Sequence, residues 1–114
     1  MLHIASHFVV PVLVALVFFW SRFRRVAMIL IATMLVDLDH FVADPIYDPE
    51  RCSIGFHPLH TAPAITVYAL MFLIPLACCR NKDVLDLNPA ARMTHLIGLG
   101  LLIHMALDWL DCLV

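Results

Sequence analysis

The run Val36-Asp37-Leu38-Asp39-His40 sets two carboxylates and an imidazole at the end of an apolar stretch. Ionisable groups in such a place are expensive unless they pair, meet water or bind an ion. The same side-chain types recur in three other places: His3 and His7, His57 and His60, and His104 with Asp108 and Asp111. Neutral imidazole and carboxylate are the donors of zinc, manganese and iron sites, so the chemistry these residues could share is metal coordination. The candidate ligands are His7, Asp37, Asp39, His40, His57, His60, His104 and Asp108. That set exceeds the donors of one structural zinc, so it implies roughly one to three divalent ions, or a single ion with an outer layer of supporting residues. Zinc is expected, with iron or manganese as the alternatives.

Spacing decides which residues act together. His3 and His7 are i,i+4, as are His104 and Asp108; His57 and His60 are i,i+3, as are Asp108 and Asp111. On a helix each of these pairs projects from one face. Asp37 and His40 also share a face, whereas Asp39 points about 160° from Asp37 at 100° per residue. A regular helix cannot aim both acids at one ion. Either the helix ends or distorts there, or one acid serves a second ion or an outer layer.

The elements that must carry these residues are unusually apolar. The chain has 114 residues, is 63% hydrophobic with a mean hydropathy of +0.94, and is only 14% charged. Soluble domains hold about 25% charged residues, so a single integral membrane domain is expected. Apolar runs at about 2–20, 26–43, 62–79 and 93–113 each approach the roughly 20 residues that cross a hydrocarbon core. None has the period-two alternation of a strand. Backbone groups in lipid must then be satisfied within helices, which makes the expected fold class all-α, a four-helix transmembrane bundle. A net charge of -2 leaves no basic footprint for nucleic acid. The first run lacks a basic leader and a small-residue cleavage site, and His3 and His7 interrupt it, so it is expected to stay in the chain.

The basic residues assign the sides. Arg22, Arg24 and Arg25, then Arg80, Lys82 and Arg92, are six of the seven Lys and Arg residues; the middle connection, 44–61, holds only Arg51. By the positive-inside rule both termini and the middle connection face outward, the periplasm in a bacterial inner membrane. The candidate histidines and acids, placed without reference to that rule, fall on the same outer side; among the histidines only His95 is inward. Asp44-Pro45 and Asp48-Pro49 read as turns, Pro11 as a bend below His7, Pro63 as the first turn of the third helix and Pro75 as a kink. Cys52 and Cys112 both lie outward, where an oxidising compartment could join them or leave them as thiols. Trp20 and Trp109 read as interface anchors.

Each site residue also has a plainer account. Asp37, Asp39 and His40 could mark a helix emerging into water, His104 and Asp108 a hydrogen-bonded pair between helices, and His57 and His60 solvated loop histidines. His3 and Asp111 could face water near the termini, and His95 could be structural. One such account must cover residues from four segments gathered on one side, and that favours the metal.

The order of these motifs resembles the membrane-bound metal-dependent hydrolases typified by YdjM. The residues that carry the resemblance are His7 in Ser6-His7-Phe8, Asp37, Asp39 and His40, His57 and His60 in His57-Pro58-Leu59-His60-Thr61, and the His104-x-x-x-Asp108 pair. Two departures mark the chain as a minimal or divergent relative: Val36 stands where that family has proline, and His57-x-x-His60 is shorter than its His-Arg-Gly-x-x-His. Arg51 could replace the missing arginine as an anion contact. The resemblance implies a helical membrane domain with a metal centre and hydrolytic chemistry.

The function expected from these readings is a metal-dependent hydrolase of the inner membrane, using a metal-activated water at the periplasmic face on a phosphoester or lipid-linked ester. Asp111, or one of Asp37 and Asp39, would be the general base. The alternative is a non-catalytic metal-binding membrane protein acting as sensor, carrier or assembly partner. A haem bundle with two axial histidines is a third reading, against which the many carboxylates argue. The expected partners are the lipid bilayer, a lipid or phosphoester substrate and a second copy of the chain.

Overall fold

The computed structural model describes residues 2–42, 52, 54–55, 57–78 and 83–113, without the side chains of 2, 3 and 39–42. The four apolar runs form four helices: α1 (Leu2–Phe18), α2 (Phe23–Ala32), α3 (Ala62–Cys78) and α4 (Pro89–Leu113). The described residues are all-α. The expected turns at Asp44-Pro45 and Asp48-Pro49, and Arg51, lie outside them.

Two boundaries differ from the sequence expectation. α4 begins at Pro89 rather than near 93, because Asn88 caps it: the Asn88 side-chain oxygen accepts the Ala91 N–H at 2.8 Å, and proline suits the first helical position. The second apolar run is not one helix. α2 ends at Ala32 and the chain continues as a 3-10 helix over Thr33–Val42, a long run for that conformation. At the junction the Thr33 hydroxyl donates to the Leu30 carbonyl at 2.5 Å. That oxygen would take the Met34 N–H in a continuing α-helix, so the side chain competes with the helix it sits in.

α4 is the centre of the packing and meets α1, α2 and α3. Two glycines let its backbone approach its neighbours. A Cβ on Gly98 would stand 2.7 Å from the Phe72 nitrogen on α3, and one on Gly100 would stand 2.6 Å from Thr33 Cγ2. His95, on the same helix, is buried and donates from Nδ1 to the Phe72 carbonyl at 2.8 Å while its ring stacks on Phe72. The apolar core divides in two: Ala15, Phe19, Val26, Ala27, Leu30 and Leu96 fill one half, and Val36, Tyr68 and Met105 the other.

Beside this apolar core several polar side chains are buried and many large apolar ones are exposed. His7, His57, His60, His95, His104 and Asp108 are buried, while Leu13, Val17, Phe18, Leu73 and Ile74 are more than half exposed. By length and composition Pro89–Leu113 can cross a membrane; Ile4–Phe18 and Trp20–Leu38, bent by 119° at their junction, pass only together, and Ala62–Cys78 is shorter. Cys52 and Cys112 are joined by a disulfide with a Cα separation of 5.3 Å. Of the two states left open by the sequence, the bonded one holds, and it ties the segment before His57 to the last turn of α4.

Candidate metal centre

Four chain segments converge at the end of the molecule where α4 finishes. α1 brings His7, the 3-10 continuation of α2 brings Asp37, the turn before α3 brings His60, and α4 brings His104 and Asp108. The Thr33–Gly100 contact brings together the segments that carry Asp37 and His104. Thr33 lies four residues before Asp37 and Gly100 four before His104, so this contact falls roughly one to one and a half turns below the pair. His60 is held by its own turn. Its carbonyl accepts the Gly55 N–H and its N–H donates to the His57 carbonyl, both at 2.9 Å, and the Tyr68 hydroxyl donates to the Leu59 carbonyl at 2.8 Å. Gly55, at φ +83°, occupies the left-handed region that glycine enters without strain.

Asp37, His60, His104 and Asp108 form a closed figure, with one donor atom from each within 4.8 Å of the others. His104 Nε2 lies 2.9 Å from Asp37 Oδ1 and 3.3 Å from Asp108 Oδ2. His60 Nε2 lies 3.4 Å from the same Asp37 oxygen and 3.0 Å from the same Asp108 oxygen. An imidazole Nε2 carries at most one proton, so two such atoms cannot make four linear hydrogen bonds. A cation at the centre satisfies all four donors at once. The distances fit one: bonds of 2.0–2.1 Å in a tetrahedral site place neighbouring ligand atoms roughly 3.3–3.4 Å apart. His60, His104 and Asp108 are at most 3% exposed, whereas Asp37 is 36% exposed and forms the open edge.

His7 stands one step out. Its Nε2 donates to Asp108 Oδ1 at 3.1 Å, the carboxylate oxygen that does not face His60 and His104, and its ring packs edge-on against His104. That is the position from which a hydrogen bond fixes the orientation of a ligating carboxylate. His57 is buried with its ring 5.6 Å from that of His60, outside the group of four. The two do not share a helical face as their spacing suggested: Pro58 confines His57 to an extended conformation, φ -78° and ψ 146°, and only Pro58–His60 turn. Asp111 is exposed on α4, three residues beyond Asp108. The side chains of His3, Asp39 and His40 lie outside the described residues. Thr33–Val42 is wound as a 3-10 helix rather than an α-helix, and of its acids and histidine Asp37 is the one whose side chain is described. The sequence reading missed Tyr68 and the Thr33–Gly100 contact as supports; a glycine within an apolar helical run is the sequence signal of such a close approach.

The fold and this cluster define an all-α protein of four helices with a buried His/Asp centre able to chelate a divalent metal. The chain belongs to the family of unknown function DUF6122, which matches residues 1–81 and so takes in His7, Asp37 and His60 and stops short of His104 and Asp108. No curated protein and no solved structure matches it.

Proposed function

We propose that this protein is an integral membrane protein that holds a divalent metal between Asp37, His60, His104 and Asp108 and hydrolyses a phosphoester or lipid-linked ester at the outer, periplasmic face. The observation that carries the metal is the set of four N···O contacts at 2.9 to 3.4 Å between two imidazoles and two carboxylates. A divalent ion there, zinc in the first instance, would supply Lewis acidity and activate water. The chain's own part is to hold four donors in a nearly dry site, to steady Asp108 through His7, and to leave access over Asp37. In this reading Asp111, three residues on from Asp108 and exposed, would be the general base that takes a proton from water. The order of motifs shared with the YdjM-like hydrolases supports the same chemistry.

Membrane insertion is supported by the many large apolar side chains that are exposed while histidines and Asp108 are buried, because extensive exposed apolar surface is rare on soluble monomers. The 46 Å long axis is close to the roughly 40–45 Å of a bilayer with its headgroups. Arg22, Arg24, Arg25 and Arg92 lie at the helix starts opposite the centre, and exposed tryptophans, Trp20 and Trp109, lie near either end. A disulfide beside the centre belongs to an oxidising compartment, which favours the periplasm for that end.

A second reading, a non-catalytic metal protein, is favoured by one observation: four protein donors already complete the tetrahedral set of a structural site. Metal analysis of detergent-purified protein, with hydrolysis of a chromogenic phosphodiester and a phospholipid as companion assays, separates the readings. Stoichiometric metal that a His104→Ala, Asp108→Ala variant lacks supports the centre. Metal-dependent turnover that Asp111→Asn lowers about 100-fold or more, with metal content unchanged, supports hydrolysis. Stoichiometric metal with no turnover favours the second reading, and no metal in chelator-free protein refutes both.

A further inference from the structure

At the end opposite the metal centre, Arg22 and Arg25 at the start of α2 and Arg92 in the first turn of α4 stand around a cleft of about 480 Å³. Its size falls within the roughly 300–1,000 Å³ of small-molecule sites. The floor is the buried pair Val26 and Leu96, and Met28, 71% exposed, continues the apolar wall about a turn beyond the arginines. Arg92 is held against the wall by donating to the Leu85 carbonyl at 3.2 Å. Among the described residues none of the three guanidinium groups is paired with a carboxylate. Three like charges around one apolar cleft repel unless an anion joins them. Arg24, between the other two in sequence, does not line the cleft; its guanidinium lies over the Phe23 ring, 6.0 Å from the centroid.

We infer that this cleft binds the phosphate headgroup of an anionic phospholipid, with the guanidinium groups on the phosphate and the beginning of an acyl chain along Val26, Met28 and Leu96. The inference rests on the membrane reading above, not on the metal. Planar guanidinium groups match phosphate oxygens two at a time. Basic pockets between membrane helices on the inward side are suited to such headgroups. A free phosphate would satisfy the arginines but leave the apolar wall without a function, and that decides for the lipid.

The test is native mass spectrometry of the full chain in detergent, with phosphatidylglycerol or phosphatidylcholine added, on wild type, Arg25→Gln, the double variant Arg22→Gln, Arg25→Gln, and Arg24→Gln, which loses the same charge outside the cleft. Circular dichroism confirms that each variant is folded. The expected result is selective retention of phosphatidylglycerol, lowered roughly fivefold by Arg25→Gln, further by the double variant, and little by Arg24→Gln. Equal loss in Arg24→Gln overturns the site in favour of diffuse charge. Displacement of the lipid by millimolar inorganic phosphate overturns the lipid as occupant. An alkaline carbonate wash of cell membranes separates the two levels of failure. Release of the chain into the aqueous phase overturns the membrane reading and this inference with it, whereas a retained chain without lipid selectivity overturns this inference alone.

Discussion

His104 faces both carboxylates from a single nitrogen, so its removal leaves Asp37 and Asp108 with no ring between them on the α4 side. His104→Ala is expected to abolish stoichiometric metal. His7→Ala acts through Asp108 instead, and loss of such an outer hydrogen bond typically weakens metal affinity by about 10–100-fold. Competition with a chromogenic chelator measures both; a His7→Ala variant as empty as His104→Ala would place His7 among the direct ligands. At this scale the sequence was largely legible. The i,i+4 spacing of His104 and Asp108 put both on one face of α4, and from it they meet Asp37 and His60. The rings of His57 and His60 do meet, 5.6 Å apart, but from an extended His57 ahead of the Pro58–His60 turn rather than along one helical face.

Among the elements, the junction of α4 with α2 and its 3-10 continuation controls whether the centre closes. Gly100→Ala would bring a methyl group within 2.6 Å of Thr33 Cγ2, and either Thr33 turns away or the two backbones separate. Overpacking of this kind costs about 1–3 kcal/mol. The expected outcome is a lower melting temperature together with weaker metal binding, since Asp37 moves away from His104. His95→Leu supplies the contrast. It removes the bond to the Phe72 carbonyl in the other half of the molecule, so it is expected to lower stability by about 1 kcal/mol with metal content intact. Apolar runs alone told where the helices lie. They could not tell that the second run changes its winding at Thr33, because that depends on one hydroxyl taking the Leu30 carbonyl, a contest between side chain and backbone that hydropathy does not record. Thr33–Val42 is the departure from a regular α-helix that the spacing of Asp37 and Asp39 left open, and Asp37 is the member of that pair among the described side chains.

For the whole molecule, the disulfide joins residues 60 apart in sequence. Chain-entropy reasoning for a loop of that length assigns it about 4 kcal/mol. Reduction, or a Cys52→Ser, Cys112→Ser variant, is therefore expected to lower the melting temperature substantially. It should also loosen the segment carrying His57 and His60, measured as faster metal release to a chelator; unchanged release would mean that the Gly55 and Tyr68 hydrogen bonds suffice to hold His60 in place. The bond also gives the chain the topology of a lariat. Residues 52 to 112 form a covalent ring that contains α3 and α4, and α1 and α2 are its tail. A single proteolytic nick anywhere within the ring leaves one molecule under non-reducing conditions and two fragments after reduction, whereas a nick in the tail beyond residue 7 severs His7 and, beyond residue 37, Asp37 also from the other donors at once. Limited proteolysis followed by electrophoresis with and without reductant would thus report which half of the centre is the more exposed to cleavage, without any label on the protein.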